Sequence, residues 1–149
     1  CNNLYWYLTH ACSPVTDGLM PYREADLLRN ILDRADAALK EGKNQATLRF
    51  GHESCLLPLV ALLELNHYGE SYPDVEKLSE QWRAYDIFPM ASNVQFVFFH
   101  KKGSNDVLVK VLLNEKEAKL PVKTDVAPYY HWKDVESYYR EKLDKYQHI

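Results

Sequence analysis

The sequence has 149 residues, of which 46% are hydrophobic and 26% charged, and its net charge is −3. That is the length of one ordinary domain, apolar enough for a core and charged enough for solubility. Lysines and arginines are spread along the chain, which excludes the concentrated basic footprint of a dedicated nucleic-acid surface. The longest apolar run, residues 55–63, is well short of the roughly 20 residues that a membrane span needs.

The chain opens on "CNNLYWYLTHAC", which lacks an initiator Met and a basic-then-apolar leader. It reads as the tail of a helix or an apolar flap, and as the start of a processed chain or an excised piece. "SPVTDGLMP" is a Pro- and Gly-punctuated loop. From Arg23 to Glu41 the pattern Leu28, Ile31, Leu32, Ala35, Leu39 keeps one face of a 3.6-residue period, and Gly42 is a natural terminator. "ATLRF" (46–50) predicts a short strand. "CLLPLVALLEL" after it predicts a helix, with Pro58 in the first turn, where a missing N–H costs little. "NHYGESYPD" is loop, and residues 74–84 predict a helix with Val75, Leu78 and Trp82 on one side. "NVQFVFFH" (93–100) and "DVLVKVLL" (106–113) are β-branched and aromatic, and the short polar "KKGSN" between them predicts an antiparallel hairpin. "NEKEAKLPV" is a charged turn and a short extended piece. Residues 132–146 predict a closing helix with Val135, Tyr138, Tyr139, Lys142 and Leu143 on its packing side.

This order predicts an α/β fold, a mixed sheet flanked by helices. Three clear strands make a thin sheet, so sheet partners are expected outside these residues. An open sheet edge beside an apolar patch would then follow. The three cysteines, Cys1, Cys12 and Cys55, form no disulfide framework. A Cys1–Cys12 bridge stays open, and Cys55 is expected to pack as a small apolar residue.

The chemistry gathers at "RFGHES". In open α/β sheets, ligands bind beyond the carboxyl ends of the strands, where His52 and Glu53 fall. The following helix presents free N–H groups and a positive dipole end to anions. Gly51 allows a sharp turn or a close approach by a ligand. A His there can donate to a phosphate oxygen, and an acid beside it can protonate a leaving oxygen. The structural alternative is a hydrogen-bonded histidine at a sheet edge followed by a carboxylate that favours a helix start. The residues alone leave both readings open.

"LRFGHESCLLPLVALLELN" resembles the C-terminal catalytic segment of the histidine acid phosphatases, most of all the multiple inositol polyphosphate phosphatase and phytase-like branch. There, a strand ending in Arg-Phe-Gly-His and an acidic residue run into an apolar Leu-Pro-Leu helix. "EADLLRNILDRADAALKEGKNQATLRFGH", "NVQFVFFHKKGSNDVLVKVLLNEKEAKLP" and "PYYHWKDVESYYREKL" extend the likeness over residues 22 to 145. The resemblance implies the C-terminal part of a histidine phosphatase (phosphoglycerate mutase-like) fold. Residues 1–21 would be the tail of a helical insert and a loop, and 22–149 the C-terminal part of the α/β domain.

It also implies a two-part site. An Arg-His-Gly-x-Arg-x-Pro motif supplies a histidine that becomes phosphohistidine and arginines that clamp phosphate. The second part supplies a phosphate-binding histidine, here His52, and a proton donor, here Glu53. Members that read His-Ala-Glu carry the acid one place later, where this sequence has Ser54. Glu53 is the better match, since its longer side chain still reaches the leaving oxygen. No Arg-His-Gly occurs in the sequence. The expectation is therefore a piece that lacks the nucleophile and is inactive alone, whose partners are a phosphate monoester and the missing N-terminal half of the same protein. The parent would be an acid phosphatase that favours acidic pH, without metal or organic cofactor, and secreted, periplasmic or at the cell surface. The rival reading is a non-catalytic α/β binding or structural module.

Other candidates are weaker. His67, His100, His131 and Glu64 lack helical metal-ligand spacing. His10 and Cys12 lack the rest of a nucleophile arrangement. Asn93 reads as a turn residue, Arg49 as a salt-bridge or edge residue rather than a phosphate clamp. Tyr129, Tyr130, Tyr138 and Tyr139 fit core packing as well as a sugar or peptide surface.

Overall fold

The computed structural model describes residues 2–147. In chain order it holds α1 (Asn3–His10), two 3₁₀ turns (Pro14–Thr16 and Met20–Glu24), α2 (Ala25–Glu41), α3 (Glu53–Leu62), α4 (Leu78–Gln81), α5 (Ala84–Ile87), β1 (Val94–His100), β2 (Val107–Leu113), β3 (Lys116–Glu117), β4 (Tyr130–His131) and α6 (Trp132–Tyr146). This is the expected α/β architecture, and β1, β2 and α6 follow their predicted elements within a residue.

β1 and β2 form the hairpin, in register from Val94 opposite Leu113 to His100 opposite Val107. β3 and β4 both pair with the other side of β2, and every pairing among the described residues is antiparallel. β2 alternates: Val109, Val111 and Leu113 are buried while the residues between them are half-buried, the signature of a strand with one face on a core. The hairpin's far end turns through Asn114 and Glu115, both left-handed. Asn114 ties the start of β1 down, since its Oδ1 accepts from the Asn93 N–H at 3.0 Å and its Nδ2 donates to the carbonyls of Asp86 and Ile87. Asn93 is thus a strand-opening residue whose partner lies across the hairpin.

α6 lies on the sheet through Trp132, whose ring meets Phe98 edge-on at 4.9 Å. α2 packs on α6 through a charged seam. Trp132 Nε1 donates to Asp36 at 3.0 Å, and Arg140 joins Asp33 and Asp36 of α2 to Glu136 of its own helix at 2.8–3.1 Å. Gly42 ends α2 in the left-handed conformation expected of it. α3 is buried from Leu57 to Leu62 and packs against the Met20–Glu24 turn, α1 and α5. It starts at Glu53, so Pro58 stands in its second turn and not its first. The ring leaves the Ser54 carbonyl without its usual i+4 donor, an expense that the burial of the surrounding leucines offsets.

Three further expectations fail, each for a tertiary reason. Residues 74–84 do not form one helix: α4 and α5 are single turns separated by extended Trp82 and Arg83. Trp82 is drawn wholly into the core, against Tyr7 at 5.2 Å, and the Asn3 side chain replaces the helical bonds, donating to the Trp82 carbonyl at 3.0 Å and accepting from the Ala84 N–H at 2.8 Å. Val75 faces solvent. Residues 46–50 are not a strand. Residues 44–52 carry no regular secondary structure and no ladder partners, with Leu48 76% and Phe50 94% exposed, because no strand among the described residues pairs with them and strand propensity without a partner makes no sheet. Cys55 is exposed on the first turn of α3, not packed. The Cys1–Cys12 pairing involves a residue outside those described. The outer edge of β1 carries no partner among the described residues.

Two stability outcomes follow. Asn3→Ala strips both partners from the Trp82–Ala84 junction and should cost about 1–3 kcal/mol in urea unfolding. Leu48→Ser with Phe50→Ser should stay within about 0.5 kcal/mol of the parent chain, as expected of side chains that touch no core.

Candidate active site

His52 is the residue before α3, with extended backbone (φ −110°, ψ 166°), and its carbonyl accepts from Cys55 N and Leu56 N at 3.0 and 3.1 Å. Its ring makes no capping bond to the helix. The N–H groups of Glu53 and Ser54 precede the first intrahelical bond and so lack an acceptor within the helix. Residues 41–53 are exposed throughout. Among the described residues the His52 ring and the Glu53 carboxylate have neither a hydrogen-bond nor an ion-pair partner. The corner therefore presents one imidazole, one carboxyl and a positive helix end to the same open space, a combination suited to an oxyanion.

Gly51 does not serve the turn. Its backbone is outside the left-handed region and a Cβ there would meet nothing within 4 Å. Of its two expected roles only a close approach by a ligand survives. Arg49 donates to Asn30 Oδ1 on α2 at 2.6 Å, a contact of the kind an edge residue makes. Arg29, Arg83 and Arg140 are engaged with carboxylates, and among the described residues no arginine is bonded to His52 or Glu53.

The other end of α3 is bound as firmly as this end is open. Lys142 Nζ donates to the Leu62 carbonyl at 2.6 Å and to Glu64 Oε2 at 3.1 Å, and the buried Tyr139 hydroxyl donates to the Leu63 carbonyl at 2.7 Å. Tyr138 donates to the same Glu64 oxygen, and burial with that carboxylate raises its phenol well above the ordinary range. Glu64 and Asn66 are left-handed, and Gly69 closes over them so tightly that a Cβ would meet Glu64 atoms at 2.7–2.9 Å. These anchors set the axis of α3, and with it the direction of the His52 end. Their i, i+1 and i+4 spacing on α6 was visible, but nothing local told which helix they would cap.

The remaining candidates are accounted for by the fold. His67 lies against Tyr68 with the rings tilted, His100 Nε2 bonds the Ser104 carbonyl, and His10 Nδ1 bonds Thr9 Oγ1. Tyr130 and Tyr139 are buried, each hydroxyl bonded to backbone. Among the described residues no group of three His, Cys, Asp or Glu side chains is placed to share a metal ion. Two surface hollows of about 240 and 210 Å³ both border Glu64, at the end of α3 opposite His52, so neither encloses the corner.

Comparison with known proteins decides the family. Residues 22–114 match the Histidine phosphatase superfamily (branch 2). The chain belongs to that family. Multiple inositol polyphosphate phosphatase 1 of Homo sapiens is 28% identical over 134 residues, covering 81% of this chain and 27% of that protein. Its Gallus gallus counterpart is 27% identical over 135 residues, covering 78% and 28%. The solved structure of the Bifidobacterium longum multiple inositol polyphosphate phosphatase in complex with inositol hexasulfate is 28% identical, with a TM-score of 0.70 over 80% of this chain and 26% of that one. The apo form, 24% identical, shares the fold with a TM-score of 0.76 over 89% of this chain. The chain thus spans little more than a quarter of the length of these relatives.

The open geometry around Gly51 makes a clear forecast. Gly51→Ala should leave stability unchanged or raise it by up to about 1 kcal/mol, because only the unfolded chain is restricted. A lower urea midpoint would show that the corner is packed against something.

Proposed function

We propose that this chain is the C-terminal part of a histidine acid phosphatase that hydrolyses phosphate monoesters, inositol polyphosphates among them. His52 binds the transferred phosphate and Glu53 protonates the leaving alcohol. The attacking histidine comes from a segment outside these 149 residues. It displaces the alcohol from phosphorus, the P–O bond breaks as a P–N bond forms, and the Glu53 proton goes to the departing oxygen. Water then cleaves the phosphohistidine.

The observation that carries the reading is the unengaged His52–Glu53 pair at the open end of an otherwise buried and anchored helix, in a chain of branch 2. A structural histidine at a sheet edge would be hydrogen-bonded to its surroundings, and His52 is not. The unpaired run 44–52, the exposed Leu48 and Phe50, and an edge of β1 without a partner among the described residues support completion by another segment. The Bifidobacterium longum relative's complex with inositol hexasulfate supports a polyanionic ring as the substrate class.

The test uses both lengths of protein. The 149-residue chain should turn over no phosphomonoester, and turnover lost on His52→Ala would refute the missing-nucleophile reading. In the full-length parent, Glu53→Gln should lower kcat by about 10²–10⁴-fold on an alkyl phosphate. It should cost far less on an aryl phosphate whose leaving group needs no proton. Wild-type rates on the alkyl ester would remove Glu53 from the role, and a parent without any activity would favour the non-catalytic module.

A further inference from the structure

His131 lies outside the corner and is held in an unusual way. Its Nδ1 is 3.0 and 3.2 Å from the two carboxylate oxygens of Asp106, and its Nε2 is 2.7 Å from Asp125 Oδ1. Asp106 closes the β1–β2 turn just before β2. Asp125 lies in the long connection between β3 and β4, and His131 itself ends β4 and precedes α6. One imidazole therefore joins three segments. We propose that His131 is a proton-operated latch, closed when both ring nitrogens carry hydrogen, and that its deprotonation frees Asp125 and the residue 121–128 connection from the start of α6.

An ionised carboxylate only accepts, and a neutral imidazole has a single N–H. The two contacts can be satisfied together only by imidazolium. Hydrogen bonds donated to Asp125 first, then to Asp106, raise the His131 pKa above its ordinary value, and the bond from His131 lowers that of Asp125. A cation beside a helix N-terminus opposes the helix dipole, so the carboxylates must outweigh it.

Other charges nearby are engaged elsewhere or adjoin the ring in sequence. Lys110 on β2 sits 5.5 Å from the Tyr129 ring centre and 3.5 Å from Glu117, and His100 on β1 bonds the Ser104 carbonyl. Lys133 and Asp134 follow on α6 itself.

When the ring loses a proton, one carboxylate faces a lone pair. Asp106 is fixed at the foot of β2 and meets its nitrogen with both oxygens. Asp125 is 79% exposed on a connection without regular structure, so Asp125 leaves. Opening is limited by Thr124, whose Oγ1 donates to the Tyr129 carbonyl at 2.6 Å, and by the Tyr129 ring, which meets Phe99 edge-on.

The sign of the pH dependence follows from the raised folded pKa. The latch contributes fully below the unfolded histidine value of about 6.5 and is lost as pH rises through the higher folded value. On the acid side it fails as Asp125 protonates, which the bond to His131 shifts to lower pH, so the latch is closed from there up to the raised His131 value.

An NMR titration of the 149-residue chain tests this, with the ring signal assigned by its loss in His131→Gln. His131 should titrate above 6.5, and the amides of residues 121–126 should shift with the same midpoint. Asp125→Asn should lower that midpoint and abolish the co-titration. A midpoint at or below 6.5, loop amides that ignore it, or an Asp125→Asn variant that titrates like the wild type would each overturn the latch. The wild-type titration alone can do so, whatever the variants do.

Discussion

The structure depends on covering one helix. α3 is apolar around nearly its whole girth, and six consecutive residues, Leu57 to Leu62, are buried. Burying a leucine side chain stabilises by roughly 1.5–3 kcal/mol, so a surround on every side is strongly favoured. The Met20–Glu24 turn, α1 and α5 supply it along the helix. At its C-terminal end the carbonyls of Leu62 and Leu63, which no later helical N–H can reach, are met by Lys142 and Tyr139 of α6. A free carbonyl buried there would cost about 1–3 kcal/mol. The helix is thus held by its far end and its flanks, which leaves its N-terminal turn, with His52 and Glu53, free to face a ligand.

Charge is used differently in different places. Arg140 gathers Asp33, Asp36 and Glu136 where α2 crosses α6, and Lys142 with Glu64 reinforces the α3 anchor. Exposed pairs of this kind contribute little singly, but here each is shared among several partners or joined to a backbone cap, so it specifies how two helices meet. At the open corner the reverse holds: among the described residues the ionisable pair stays unpaired. A phosphate group arriving there would meet the helix end, the imidazole and the acid without first displacing an internal ion pair.

Much of this was legible in the chain. The 3.6-residue period of 28–39, the alternating β-branched residues of β1 and β2, and the Tyr-rich closing helix decided those elements, because local pattern and final burial agree there. The "RFGHES" corner was legible as a candidate because its residue types and its place before an apolar helix are both local properties. The strand expected at 46–50 and the single helix expected at 74–84 show where local reading stops. The first needs hydrogen-bond partners that propensity cannot provide. In the second, Trp82 entered the core and Asn3, some eighty residues away, took over the freed backbone groups.

The sequence by itself determined the family, the order of the main elements and the position of the His-Glu pair, since each is carried by contiguous residues. Only the tertiary structure decided which groups those elements would bind. That His52 stays unengaged, that Lys142 and Tyr139 end the buried helix, and that His131 stands between two carboxylates from separate segments all depend on contacts between residues far apart in the chain. Such contacts are set by packing, and no periodicity or spacing records them.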